Sequence, residues 1–362
     1  MTIELATRIY LDHAATTTML PAAMAAVEAG MRHWANPSSP HAEGRAARAA
    51  FEQARATIAA AHGWSGETLL TGGASEALAI ALGRATVPRR LIGATEHDAV
   101  IRAAPGAEVM PVDDSGLIDL DRLAALLADS PPALVAVQWA NSETGVRQPI
   151  GDIAAIVHAA GGLLLVDAAQ MPPGADPSLG DHADFIALSS HKRGGPPGVG
   201  ALLVRDLATL EPSGGQERGY RAGTENVPGV LGYAAALGEM PDIAHWAAMR
   251  ARLDDAILRS GGEVVGAAAP RHPAIGSYRM PGVAATVQLI RLDLAGISVS
   301  AGSACSSGSM KPSHVLAAMG WQEPALREVV RVSFGATTSD AEIDTFITAW
   351  RAIAREARSR AA

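Results

Sequence analysis

The chain has 362 residues and a mass of 37.1 kDa, enough to bury a large core and most readily arranged as two domains. It is 48% hydrophobic and 18% charged. Its 37 acidic against 29 basic residues leave a net charge of −8, which argues against nucleic acid or an anionic membrane as the main partner. One cysteine excludes an internal disulfide framework, and no apolar run reaches the roughly 18 residues that cross a bilayer.

Residues 1–11 carry no basic segment leading into a long apolar stretch, so a cytoplasmic protein is expected. Thr7 to Leu11 is β-prone and runs into a polar turn from Asp12 to Thr18. Pro21 opens a helix to Met31, proline being well placed in a first turn. Asn36 to Pro40 is a loop, and His41 to His62 is an alanine-rich helix. Leu69-Leu70 is a strand leading through Gly72-Gly73-Ala74-Ser75 into a helix. Arg90–Gly93 is a strand, Leu120–Ala128 a helix, Ala133–Val137 a strand, and Ile150–Ala160 a helix closed by Gly161-Gly162. Leu163–Val166 is a strand ending at Asp167. Ala183–Leu188 and Ala201–Arg205 are strands flanking Ser189-Ser190-His191-Lys192 and a Gly/Pro-rich connection. Helical segments around Ile243 to Ser260, a mixed region and a final helix from Ser339 suggest a smaller α+β domain.

Strands and helices alternate from Leu69 to Val204, and the strands are continuous apolar runs, as in a parallel sheet covered on both faces. Such sheets hold ligands at the carboxyl ends of their strands. Four polar groups fall there: Gly72 to Ser75, Asn141-Ser142, Asp167 to Gln170, and Ser189 to Lys192. Their convergence points to one site.

Each group has a plain reading beside a chemical one. The Gly72–Ser75 turn is either a phosphate cup at a helix start or a helix simply capped by Ser75. Asp167 either caps the next turn or holds a cofactor ring nitrogen protonated, as an acid does in pyridoxal phosphate enzymes. Lys192 is either a solvated loop lysine or a desolvated amine of lowered pKa, free to act as a nucleophile. His97 is a loop histidine or a ring that stacks on a flat cofactor and moves protons, and His191 bonds a phosphate or the backbone. Cys305 stands among Ser, Gly and Ala, the surroundings of an exposed, reactive thiol rather than a core residue. Arg331, inside an apolar strand-like run, must be paired, structurally or with a substrate carboxylate. Arg218 and Arg221 stand in a stretch that reads equally as a solvated charged loop.

Taken in order, these pieces closely resemble the cysteine desulfurases of the class-V aminotransferases, nearly end to end. The resemblance is carried by Tyr10-Leu11-Asp12-His13-Ala14-Ala15-Thr16-Thr17, Asn36-Pro37-Ser38-Ser39, Thr95-Glu96-His97 and Asn141-Ser142-Glu143-Thr144-Gly145. It continues through Val166-Asp167-Ala168-Ala169-Gln170, Ser189-Ser190-His191-Lys192, Arg221-Ala222-Gly223-Thr224-Glu225-Asn226, Ser303-Ala304-Cys305 and Arg331-Val332-Ser333.

The resemblance implies an α/β protein of the pyridoxal-phosphate fold type I. Its large domain, 14–245, would carry a mostly parallel seven-stranded sheet flanked by helices. Residues 1–13 and 246–362 would form a smaller α+β domain bearing the catalytic cysteine loop. It implies that Lys192 joins pyridoxal 5'-phosphate and later moves the substrate Cα proton, that His97 stacks on the ring, that Asp167 meets its nitrogen, and that Gln170 meets its phenolic oxygen side. Ala74, Ser75, Ser189 and His191 would hold the phosphate, with Thr224 reaching it from a second subunit of a homodimer. Arg331, with Asn141 or Ser142 nearby, would hold the carboxylate of L-cysteine. Cys305 would take the sulfur as a persulfide, leave alanine, and pass the sulfur to an acceptor protein for iron–sulfur cluster assembly or thiolation. No metal, nucleic acid or membrane is implied. The long stretch from Ser300 to His314 resembles the branch whose cysteine hands sulfur to proteins. A selenocysteine lyase or another class-V enzyme is the rival reading. Three positions depart from the family pattern: Ser142 stands where a second Asn is usual, Ala79 where an Asn follows the glycine loop, and Pro197 where a Lys follows Gly-Pro. The chain also ends soon after the final helix, where longer relatives carry a scaffold-docking tail.

Overall fold

In the computed structural model, which describes residues 8–302 and 312–361, the apolar runs become strands in chain order. They are β1 (Ile9–Tyr10), β2 (Glu67–Thr71), β3 (Arg89–Gly93), β4 (Glu108–Met110), β5 (Ala133–Gln138) and β6 (Leu163–Asp167). Then come β7 (Phe185–Ser189), β8 (Gly200–Val204), β9 (Glu263–Val264), β10 (Ile275–Arg279), β11 (Ile297–Ser298) and β12 (Val329–Ser333). Seven of these form one sheet in the order β2-β8-β7-β6-β5-β3-β4. β8 runs antiparallel to β2 and to β7, and the other pairings are parallel.

The sheet is buried on both faces, and the alternation of side chains divides its residues between two cores. Val135, Val137, Leu164, Val166, Ile186 and Leu188 face one core, with Phe51 and Ile58 from helix Ala42–Ala61 and Ile153 and Val157 from helix Ile150–Ala159. Leu134, Ala136, Leu165, Phe185, Ala187 and Leu202 face the other, with Leu78 and Leu82 from helix Ala74–Arg84. Each large apolar side chain so buried contributes about 1.5–3 kcal/mol.

A third core gathers Leu11 with Trp246, Leu253, Tyr278, Val330, Phe346 and Trp350. It lies on an antiparallel sheet, β12-β10-β9, and beside the parallel pair β1-β11. The N-terminal segment ties this core to the large sheet. Leu11 donates to the Ser298 carbonyl and accepts from the Ser333 amide, both at 2.9 Å, while Thr17 donates to the His191 carbonyl at 2.9 Å and Leu20 to that of Gly194 at 2.8 Å.

Helix Val227–Ala236 is the main element that the sequence pattern hides. Its Pro228 sits in the first turn, where proline is favoured, and two glycines interrupt the helical composition. Those glycines are where neighbours come closest: a Cβ at Gly229 would lie 2.6 Å from Val199 Cγ2, and one at Gly232 would meet Val27 on helix Pro21–Arg32.

Ahead of that helix, residues 211–226 are strapped down by a buried ion pair. Glu217 is buried; its carboxylate takes both Nη groups of Arg55 and the amide of Leu70. Arg218 meets Glu67, and Arg221 meets Glu76, so both arginines are paired rather than loose in a solvated loop. Among the described residues, no helix is long and apolar enough to cross a membrane.

Candidate active site

The carboxyl ends of β2, β5, β6 and β7 stand along one edge of the sheet, and β8 returns from that edge. β2 ends in Thr71, and Gly73 serves as the N-cap of helix Ala74–Arg84 with no side-chain bond to the first-turn amides. The cap therefore does not fall to Ser75, which lies exposed in the first turn, contrary to the plain reading of this stretch. Gly73 has φ 138°, a conformation that favours glycine. Gly200, the first residue of β8, lies against this turn so closely that a Cβ there would sit 2.7 Å from Gly73 Cα. The turn is held from outside by Glu76, whose carboxylate takes the Gly72 amide and, at 3.0 Å, Arg221 Nε.

Asp167 ends β6, opposite Gln138 of β5 on one side and Ala187 of β7 on the other. It is 8% exposed, and its Oδ1 accepts the Ala169 amide at 2.9 Å. Lys192 lies three residues past β7. Burial lowers its pKa from 10.5 to about 8; the charge of Asp167 opposes the shift, and Arg331 and Arg193 add to it. His97 caps helix Asp98–Ala103, its Nδ1 accepting the Ala99 amide at 3.1 Å, so the neutral ring carries its proton on Nε2. Its exposed ring looks out from a wall that still lowers its pKa, by burial first and by Lys192 second, while Asp167 pulls the other way. Lys192, Asp167 and His97 thus stand within one another's electrostatic reach.

Arg331, on β12, reaches the same edge from the third core. Its Nη2 pairs with Asp12 Oδ1 at 2.6 Å, its Nη1 donates to the Ser142 carbonyl at 3.0 Å, and its buried Nε has no hydrogen-bond partner among the described residues. Asp12 turns its other oxygen to Ser300 Oγ at 2.8 Å. Asn141 is buried and fully engaged: its amide serves Thr95 and Gln138, and its oxygen takes the Glu143 and Thr144 amides. Gln170 donates to the Ala14 carbonyl at 2.9 Å, Ser189 is buried at the end of β7, and His191 Nδ1 lies 3.1 Å from Thr16 Oγ1.

The sequence matches the aminotransferase class-V family over residues 9–346. It is 36% identical to a cysteine desulfurase of Cereibacter sphaeroides over 94% of each chain. The chain belongs to the cysteine desulfurases of that family. An IscS-like cysteine desulfurase of Mycobacterium tuberculosis is 37% identical over 92% of this chain and 93% of its own. Among solved structures, a NifS-like protein from Rickettsia africae superposes with a TM-score of 0.87 at 31% identity, covering 96% of this chain and 99% of that one. Membership makes this protein a pyridoxal-phosphate-dependent enzyme of fold type I.

Of the desulfurase's expected site residues, Cys305 falls at 303–311, outside the described residues. Thr224 is exposed, and no hydrogen bond joins it to the groups above among the described residues. One residue at the edge was missed. Glu96 is fully buried, accepts the Gln138 amide at 3.0 Å and leaves Oε2 without a partner among the described residues. Burial, with the charge of Asp167 adding to it, pushes its pKa well up, which favours the protonated acid. Its place just past β3, between Thr95 and His97, was the available signal. Among the described residues no group of three or more His, Cys, Asp or Glu is placed to hold a metal ion.

A free amine of pKa about 8 is half deprotonated two units or more below the pH where an exposed lysine is. In the cofactor-free protein, acetylation of Lys192 should therefore reach half its maximal rate near pH 8, against near pH 10 for the lysine of an unstructured reference peptide. Peptide mapping against pH reads this out, and a Lys192 midpoint at 10 or above would contradict the buried placement.

Proposed function

We propose that this desulfurase takes sulfur from L-cysteine at the strand edge just described, with pyridoxal phosphate joined to Lys192, leaving alanine and a persulfide on Cys305. The observation that carries the reading is the desolvated amine of Lys192 beside the buried carboxylate of Asp167. An amine that must meet an aldehyde has to be neutral, and a ring nitrogen that must stay protonated needs a fixed anion.

The residues present fit the cofactor. The turn at Gly73 offers first-turn amides with no side-chain cap, the natural seat of a phosphate, and Ala74, Ser75, Ser189 and His191 surround it on this reading. His97 would lie over the ring as a neutral imidazole, and Gln170 would face its phenolic oxygen. Since Asn141 is spent on its own turn, Ser142 is assigned the cofactor contact. Thr224 would complete the phosphate seat from the second subunit of a homodimer. Residues 14–245 would hold the cofactor, and 1–13 with 246–362 the cysteine. When bound, pyridoxal phosphate supplies an electron sink for the substrate Cα.

The chain's own groups do the rest. Arg331 takes the α-carboxylate through parallel hydrogen bonds, which Asp12 must yield. Lys192, once released as a free amine, removes the Cα proton and later returns one. The Cys305 thiolate bonds to the substrate sulfur. The substrate C–S bond breaks with its electron pair left on Cβ, and that carbon takes a proton to become the methyl of alanine. The persulfide sulfur then passes to an acceptor protein, feeding iron–sulfur cluster assembly or thiolation in the cytoplasm.

Intact-mass measurement after brief exposure of the holoenzyme to L-cysteine tests this. Added sulfur atoms are expected, mapped to Cys305 and absent in Cys305→Ala. Full alanine release by Cys305→Ala would favour a lyase that needs no protein thiol.

A further inference from the structure

Arg331 reaches the strand edge with its guanidinium already engaged by a carboxylate of the chain itself. Its side chain is 10% exposed and that of Asp12 19%, so the pair is largely buried yet still in touch with solvent. Asp12 comes from the turn after β1 and is held in a frame. Its Oδ2 accepts Ser300 Oγ at 2.8 Å, and its carbonyl takes the Ala15 amide at 3.0 Å and the Tyr10 hydroxyl at 3.2 Å. Ser300 is laced to Arg331 in turn, donating its amide to the Arg331 carbonyl at 3.3 Å and accepting the Arg331 amide at 2.6 Å. The carboxylate is thus presented to the guanidinium by fixed backbone.

The pair is only half made. A carboxylate can meet a guanidinium with two parallel hydrogen bonds. Asp12 offers one oxygen to Nη2 and spends the other on Ser300, while Arg331 Nε stays buried with no partner among the described residues. Arg331 is close enough to Lys192 for its charge to weaken protonation there, so the amine end and the carboxylate end of one ligand would meet along this edge.

We propose that Asp12 is a specificity-determining residue, an internal carboxylate that occupies Arg331 until an α-amino acid displaces it. Any carboxylate that binds Arg331 must first break the Asp12 pair. An acid with no amine only exchanges one carboxylate for another and gains little. An α-amino acid is held by its amine as well, and is retained. The inference rests on Arg331 as the seat of the substrate carboxylate.

Propionate, which is alanine without its amine, is the probe, titrated calorimetrically into the holoenzyme. Wild type should bind it weakly. Asp12→Asn keeps the shape but gives up the charge, and should tighten propionate binding about tenfold or more, the worth of one charge-assisted hydrogen bond. In the same variant the KM for L-cysteine should fall while kcat does not rise, a gain in affinity that damage to the fold would not give. Ser300→Ala, which loosens Asp12 without removing it, should move both readings the same way by a smaller factor. Propionate binding that is unchanged or weaker in folded Asp12→Asn overturns the proposal. Should that variant fail to fold, Ser300→Ala decides on the same two readings. Arg331→Met separates the inference from its footing. A wild-type KM for L-cysteine in that variant removes Arg331 as the seat, and the proposal with it. A raised KM there, with propionate binding unmoved in Asp12→Asn, overturns the role of Asp12 alone.

Discussion

Lys192→Ala is expected to lower L-cysteine turnover by about 10³-fold or more, on the scale of losing a positioned acid–base group, and to do so without unfolding the protein. The amine is held in a site that disfavours its charge, so removing it relieves a desolvation penalty rather than breaking a favourable pair. Tm should hold or rise. Lys192→Arg should not restore turnover, because a guanidinium stays protonated and cannot give the neutral nitrogen that the chemistry needs. Alanine release by the cofactor-loaded enzyme and thermal unfolding of the cofactor-free protein, where the free amine is compared with alanine, check the two halves. Turnover within tenfold of wild type would remove Lys192 from the chemistry.

Glu217→Ala should cost about 3–5 kcal/mol of stability, the range for stripping one partner from a buried ion pair. Arg55 would keep a largely buried charge with only the exposed Glu52 left as a carboxylate partner, and the Leu70 amide would lose its acceptor. The backbone at Glu217 and Arg218 sits at φ 50° and 58°, a left-handed conformation that side-chain-bearing residues hold only when their contacts enforce it. Glu217→Gln keeps the shape and some hydrogen bonds and should lose less. Urea unfolding gives the numbers, and a loss below about 1 kcal/mol for the alanine variant would show that the pair does not hold the strap. Because the same strap carries Arg221, which clamps Glu76 at the Gly73 turn, the alanine variant should also weaken phosphate retention.

The sheet and its edge were legible because buried parallel strands announce themselves as unbroken apolar runs, with polar residues where the ligand edge lies. Leu163–Val166 ending at Asp167, and Ala183–Leu188 ending before Lys192, are readable with no partner in view. The β12-β10-β9 sheet was not, because β9 is two residues long and β10, Ile-Gly-Ser-Tyr-Arg, carries a glycine and a serine that blur its pattern. Arg331 could be read as needing a partner, but nothing local says that the partner is Asp12, more than 300 positions earlier. Glu96 went unread for the opposite reason. A glutamate in a polar loop looks solvated, and only the packing of β3, β5 and β6 buries it. Helix Val227–Ala236 was hidden by glycines that make sense only against Val199 and Val27.

The third core unites Leu11 with Ile343, Phe346 and Trp350. During synthesis the large sheet, complete by Val204, can close on its helices while the chain is still growing. The core holding Leu11 cannot close until residues past 350 have emerged. The Arg331–Asp12 pair belongs to that late event, so on the roles proposed above a nascent chain would own the cofactor edge before it could seat an amino acid. If Arg331 seats the substrate as proposed, a nascent chain stays silent toward free cysteine until those residues are in place.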